Sequence, residues 1–447
     1  MVTTAAELAR AVRGGELDPV EVTRRALDRI AAADPVVGAF RLVRGEQALA
    51  EARALAGRAD LAELPLAGVP VAVKDVAEVT GEYAQWGSRA FPDIPATADH
   101  DVVRRLRAAG AVIVGLVRVP ELCVWPMSDG PDGIARNPWE PAYTSGGSSG
   151  GSSAAVAAGM VPIAHGTDGL GSVRLPSAMC GLVGIKPGAG VIPETIAPGW
   201  YGMSTHGALA TTVADAALLL GVLAERPELA DLTEPGESRI AVSTRVPLTR
   251  APVPGPLRAA VGRVGDLLAT AGHRVVPDTP RYGVEPVAGI LARWFAGPAA
   301  QVAAEGLDPA LLQRRTRVHV RVGQVLRGAG LVRPGTANRW IARAEEFFAR
   351  HDVLVTPMLA TLPPKARRWH ERSWPANAFP SIRLAGFAGL WNLAGYPAMT
   401  VPVGRHPATG LPIGVQLVAA PGGEARLLGL AAYLERVNPW PRTPGTP

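Results

Sequence analysis

Apolar and polar positions follow two rhythms along the chain. Near the N-terminus apolar residues recur at helical spacing behind legible start signals. Thr4 followed by Glu7 forms a capping box for a first helix that stops at Gly14-Gly15, and Asp18-Pro19-x-Glu21 opens a second that ends before Asp34-Pro35. From there short apolar runs alternate with helical patterns. Residues 69–73 read as a strand, 101–109 as a helix closed by Gly110, and 111–117 as a continuous apolar run that suits a strand buried on both faces. Further strands are expected near 160–164, 182–186, 239–243, 273–276, 353–356, 398–403 and 413–419, with helices over 152–158, 213–224, 256–271, 337–350 and 424–437. One large α/β sheet covered by helices is the economical architecture.

The chain has 447 residues, enough for roughly three average domains or one large α/β unit. Hydrophobic residues make up 48% and charged ones 19%, with 51 glycines and 42 prolines interspersed among apolar runs, which excludes a charged disordered chain, a coiled coil and collagen. The net charge of +6 invites a nucleic-acid reading, but the arginines are scattered, no basic run reaches five residues, and no aromatic residues interleave with Arg104, Arg105 and Arg107. Lysine occurs only at Lys74, Lys186 and Lys365. Cys123 and Cys180 are the only cysteines, which fits a reducing compartment. No apolar stretch reaches the ~18 residues of a membrane span, and no signal-peptide pattern opens the chain, so a cytoplasmic protein without membrane or nucleic-acid partners is expected. With no Cys-x-x-Cys, no His-Glu-x-x-His and dispersed histidines, neither a metal nor a cofactor is expected.

Three stretches carry candidate chemistry. The Gly/Ser-rich segment 143–153 contains Ser148 and leads directly into a strong helix former at 154–158. A linker would have that composition too, whereas a phosphate loop lacks its Gly-Lys-Ser/Thr here. The second stretch, Gly166-Thr167-Asp168-Gly169-Leu170-Gly171-Ser172-Val173-Arg174, places small residues before a serine, so that backbone donors can converge on one point as an oxyanion hole requires. Asp168 and Arg174 within it also suit a structural ion pair. In the third, Lys74 ends an apolar strand; an amine entering such surroundings loses solvation of its charged form and can serve as a base near neutral pH, which arginine cannot. Lys365, in a loop, reads as a surface lysine.

Together the Gly-Gly-Ser-Ser-Gly-Gly-Ser loop, the Gly-Thr-Asp-x-x-Gly-Ser-x-Arg-x-Pro segment and the Gly-Val-Pro-x-x-x-Lys-Asp strand resemble the amidase signature family, in order and in spacing. Weaker agreement, including the runs at 397–402 and 412–417, extends over nearly the whole chain. The resemblance implies a single domain over 1–447, with a mixed central sheet covered by helices on both sides. Its core would occupy 60–225 and 350–440, with a variable, substrate-shaping region at about 278–345. It implies a Ser-Ser-Lys triad in which Ser172 is the nucleophile, Ser148 the bridging serine after a cis peptide bond, and Lys74 the base. The N–H groups of Gly169, Leu170, Gly171 and Ser172 would form the oxyanion hole, and Asp168 and Arg174 would support it. The implied activity is hydrolysis of a small-molecule amide through an acyl-enzyme. Transfer of the acyl group to an amine, and a noncatalytic subunit or scaffold of the same fold, are alternatives, and a homodimer is left open.

The sequence departs from the family pattern where Leu170 replaces a usual glycine, a position at which a positive φ would be strained. Ser148 also fits a Gly-x-Ser-x-Gly elbow with His406 as base, although no strand pattern precedes it. Trp125, Trp200, Tyr201 and Trp391 suggest an apolar or aromatic acyl group.

Overall fold

A computed structural model describes residues 3–193, 199–247 and 251–445. Its strands are, in chain order, β1 (Phe40–Val43), β2 (Pro70–Lys74), β3 (Val112–Val117), β4 (Asp129–Gly130), β5 (Gly133–Ile134), β6 (Ile163–Asp168), β7 (Val183–Lys186), β8 (Thr205–Ala210), β9 (Arg239–Val242), β10 (Arg274–Pro277), β11 (Val353–Pro357), β12 (Ala398–Arg405) and β13 (Pro412–Ala419). Eleven of them form one sheet in the order β1-β3-β2-β6-β8-β7-β12-β13-β11-β9-β10, while β4 and β5 pair with each other. β2 lies parallel between β3 and β6, the strands from β6 across to β11 pair antiparallel, and β9 runs parallel to β11 and β10. Every residue of β2, β3, β8, β11 and β13 is buried, as helices on both faces of a mixed sheet require.

Departures from the expected elements have local causes. The second helix spans Pro19–Val37 and passes through Pro35; its stop is the left-handed Gly38, whose N–H returns to the Asp34 carbonyl. The Asp34 carboxylate meanwhile accepts the N–H of Ala39 at 2.6 Å, so the aspartate read as a breaker is a C-terminal clasp. β6 begins at Ile163, after Pro162, and carries His165, Thr167 and Asp168, which is why an apolar-run criterion placed it too early. β1, β8 and the helix Gly45–Ala56 were not expected. The helices Glu285–Ala304 and Arg314–Gly328 lie within the region 278–345, and a third, Gly335–Phe348, runs beyond its end.

A main apolar core extends over the sheet, and two smaller clusters, around Trp340 and Trp391 and around Trp125 and Trp294, involve the three helices. Leu170 and Trp200 pack against both smaller clusters and stand between them.

Candidate active site

Adjacent parallel strands deliver the site's first two parts. Because β2 and β6 are neighbours in register Ala72 to Ala164, their C-terminal ends emerge at the same edge of the sheet, one with Lys74 and the other with Thr167 and Asp168. Lys74 is fully buried. Its Nζ lies 2.7 Å from Ser148 Oγ, 2.6 Å from Thr167 Oγ1 and 3.3 Å from the Thr167 carbonyl. Burial lowers its pKa below the ordinary lysine value, and the Cys123 thiol and Asp168 carboxylate offset only part of that. The Lys74 N–H groups thus point to the Ser148 hydroxyl and to the Thr167 hydroxyl and carbonyl.

The Gly/Ser-rich stretch is a packed element. Ser148 follows a cis Gly147-Ser148 peptide bond, as the family resemblance implied, and precedes the helix Gly150–Ala157, of which every residue is buried. The glycine at 151 is dictated by a close approach: a Cβ there would fall 2.4 Å from the backbone nitrogen of Arg118. Ser128 holds the turn, its Oγ accepting the Gly150 N–H at 3.1 Å and donating to the Ser148 carbonyl at 3.3 Å. The Ser149 N–H then donates to the Ser172 carbonyl at 3.1 Å, fastening this loop to the next.

The loop 169–173 leaves β6 and reaches the helix Arg174–Cys180. Its left-handed residue is Gly171, at φ 101°, and Leu170 has no positive φ, so the leucine is accommodated without strain. One expected role changes. The Gly171 N–H donates to Asp168 Oδ1 at 2.6 Å and is not free to bind an oxyanion, whereas Gly169, Leu170 and Ser172 donate to no other described residue through their N–H groups. Asp168 and Arg174 form a fully buried, two-pronged ion pair at 2.9 and 3.0 Å. Burial would raise the Asp168 pKa, but Arg174 and Asn392 outweigh it and hold the carboxyl well below the carboxylate range. Arg174 also donates to Gln416 Oε1 at 2.5 Å and Asn392 Oδ1 at 2.6 Å.

Lys74, Ser148 and the Ser172 loop are thus gathered at one place. The Lys74–Ser148 contact is made, and Ser172 Oγ has no hydrogen bond to another described residue. His406 lies in the turn between β12 and β13, its backbone bonded to Leu411, and is not the partner of Ser148. Sequence reasoning assigned no role to Thr167, Ser128, Asn392 or Gln416. The available signal was a polar residue inside an apolar run, plain for Gln416 in β13 and for Asn392 in the helix Gly389–Ala394.

Beside Ser172 opens a cavity of ≈ 790 Å³, its open mouth included, with Trp125, Trp200 and Trp294 among its walls. Trp391 belongs to the core beneath and Tyr201 faces outward, 46% exposed, so neither lines it.

A serine-containing loop is thus stitched to a buried lysine at the edge of a mixed sheet. The chain belongs to the amidase signature family of hydrolases: the family model described as Amidase matches residues 21–428. It is 40% identical to AmiB2 of Mycobacterium tuberculosis, whose amidase name is provisional, over 98% of this chain and 96% of that protein. It is 34% identical to an acylamidase of Rhodococcus erythropolis, over 98% and 96% of the two chains. The solved structure of a 6-aminohexanoate cyclic dimer hydrolase superposes with a TM-score of 0.90 at 28% identity, over 99% of each chain.

Proposed function

We propose that the protein hydrolyses a carboxylic amide through an acyl-enzyme on Ser172, with Ser148 and Lys74 as its proton relay. The observation that carries this is the 2.7 Å contact between Ser148 Oγ and a fully buried Lys74 Nζ whose pKa burial lowers, with no carboxylate in ion-pair contact with that amine among the described residues. Lys74 takes the Ser148 proton as Ser148 takes that of Ser172, and Ser172 Oγ attacks the amide carbon. Negative charge developing on the carbonyl oxygen meets the N–H groups of Gly169, Leu170 and Ser172. The relay then runs backwards: the proton reaches the departing nitrogen, the C–N bond breaks, and water attacks the ester by the same route to release the acid.

The test is Ser172→Ala. It removes one oxygen from a half-buried position, so we expect an unchanged melting temperature, loss of amide hydrolysis, and loss of the acyl adduct that mass spectrometry detects in the wild type. An active Ser172→Ala protein refutes the assignment.

A further inference from the structure

The cavity beside Ser172 has walls of one chemical kind. Its described residues include no charged side chain, and its hydroxyls are those of Ser172 and Ser381. The Ser381 hydroxyl already donates to the Asn377 carbonyl at 2.7 Å, so it offers its proton to nothing in the cavity. The remaining walls are tryptophan rings, aliphatic side chains, glycine, proline and the Cys123 thiol. Two of the walls, Cys123 and Trp200, stand on backbone that non-glycine residues rarely adopt, at φ 56° and 58°. Left-handed conformations at such residues persist where surrounding structure over-determines them, and they collect at ligand sites.

The cavity also has an adjustable boundary. Leu170 belongs to the oxyanion loop through its backbone and to the cavity wall through its side chain, which abuts Gly389: a Cβ at 389 would fall 2.9 Å from Leu170 Cδ2. Leu175, one turn beyond the nucleophile, lines the same space. These walls flank the atom to which the acyl carbon becomes bonded.

Resting on the acyl-enzyme reading above, we propose that this cavity receives the acyl group of the substrate, that it selects an uncharged, apolar aryl or alkyl chain, and that Leu170 set against Gly389 fixes how bulky that chain can be. A carboxylate or ammonium on the acyl chain would enter surroundings without a partner, which costs far more than apolar burial returns.

The experiment measures kcat/KM of the purified full chain on p-nitroanilides. Along acetyl, butyryl and hexanoyl we expect a rise of about threefold to fourfold per methylene until the cavity is filled, the factor for burying one CH₂. Against butyryl, the succinyl compound, matched in chain length but carrying a terminal carboxylate, should lose at least ~100-fold. Leu170→Ala should raise the ratio of diphenylacetyl to butyryl turnover at least ~5-fold, and Gly389→Ala, which pushes Leu170 into the cavity, should lower it. Melting temperatures confirm that both variants are folded, and the ratio within one variant is insensitive to the amount of active enzyme. A flat acyl series, or succinyl turnover equal to butyryl, would overturn this inference while leaving the acyl-enzyme reading standing. Absence of both hydrolysis and acyl adduct with every amide would overturn that reading instead.

Discussion

Exchanging Lys74 for arginine keeps a positive charge and much of the bulk but removes the ability to lose a proton. Lys74→Arg is therefore expected to lower kcat/KM by at least ~100-fold in a folded protein, the lower end of general-base contributions. The pH dependence carries the matching sign. Burial lowers the Lys74 pKa, so the neutral base is present above that lowered value and is lost as pH falls through it. We expect kcat/KM to rise with pH and level off below the free-lysine ~10.4, and a profile still climbing at that pH contradicts the relay. Burial also holds His206 to about 3 and His319 to about 4. Their ring resonances should show no titration between pH 7.5 and 5.5 by NMR, while exposed imidazoles titrate in that range. The runs around Lys74, Ser148 and Ser172 stood out in the sequence by composition, but the roles expected of these residues as a triad came only from the family resemblance. Thr167 was not legible, since its partner is set by the neighbouring strand and not by nearby residues.

At the level of elements, the helix Gly150–Ala157 shows why composition alone misleads. Gly and Ser in that number look like a linker, yet here they allow backbone to pass against backbone, with Gly151 N–H bonded to the Arg118 carbonyl at 3.0 Å. Gly151→Ala places its methyl on the Arg118 backbone, which has no side-chain freedom with which to yield. We expect about 1–3 kcal/mol of destabilisation in urea unfolding, together with reduced activity because Ser148 starts the same turn. The helices Val213–Ala224 and Glu424–Val437 agree with their expected bounds to the residue. The first has a capping threonine, Thr212, whose Oγ1 accepts the Asp215 N–H at 3.1 Å, and that local signal was readable. β8 has the sequence Thr-His-Gly-Ala-Leu-Ala, with little strand propensity, and is a strand because β6 and β7 pair with it on either side.

Across the whole molecule the basic charge is dispersed. Arg41, Arg44, Arg107, Arg239 and Arg315 each pair with a carboxylate, at Asp75, Glu82, Asp99, Asp352 and Asp129. Filter binding at physiological salt should therefore give no sub-micromolar complex with DNA or RNA, and a tight, steeply salt-dependent complex would show that the arginines act as a patch. The sheet was legible in outline from the alternation of runs, but its order was not, because neighbours such as β2 and β6 or β7 and β12 are distant in sequence. The buried Asp168–Arg174 pair belongs to this scale as well. Asp168→Asn leaves the guanidinium buried without its counter-charge, and a loss of about 3–5 kcal/mol is expected, visible as a lowered urea midpoint.

The clamp on Arg174 has a consequence for how the enzyme comes into being. The three side chains proposed to react lie between residues 74 and 172, yet the arginine behind the Ser172 loop is held by Gln416, 242 positions further along the chain. On the ribosome the serines and the lysine emerge while the strand carrying Gln416 is still unmade. A copy cut short before β13 keeps Lys74, Ser148 and Ser172 but lacks the side chain that holds Arg174, and is expected to show no amide hydrolysis.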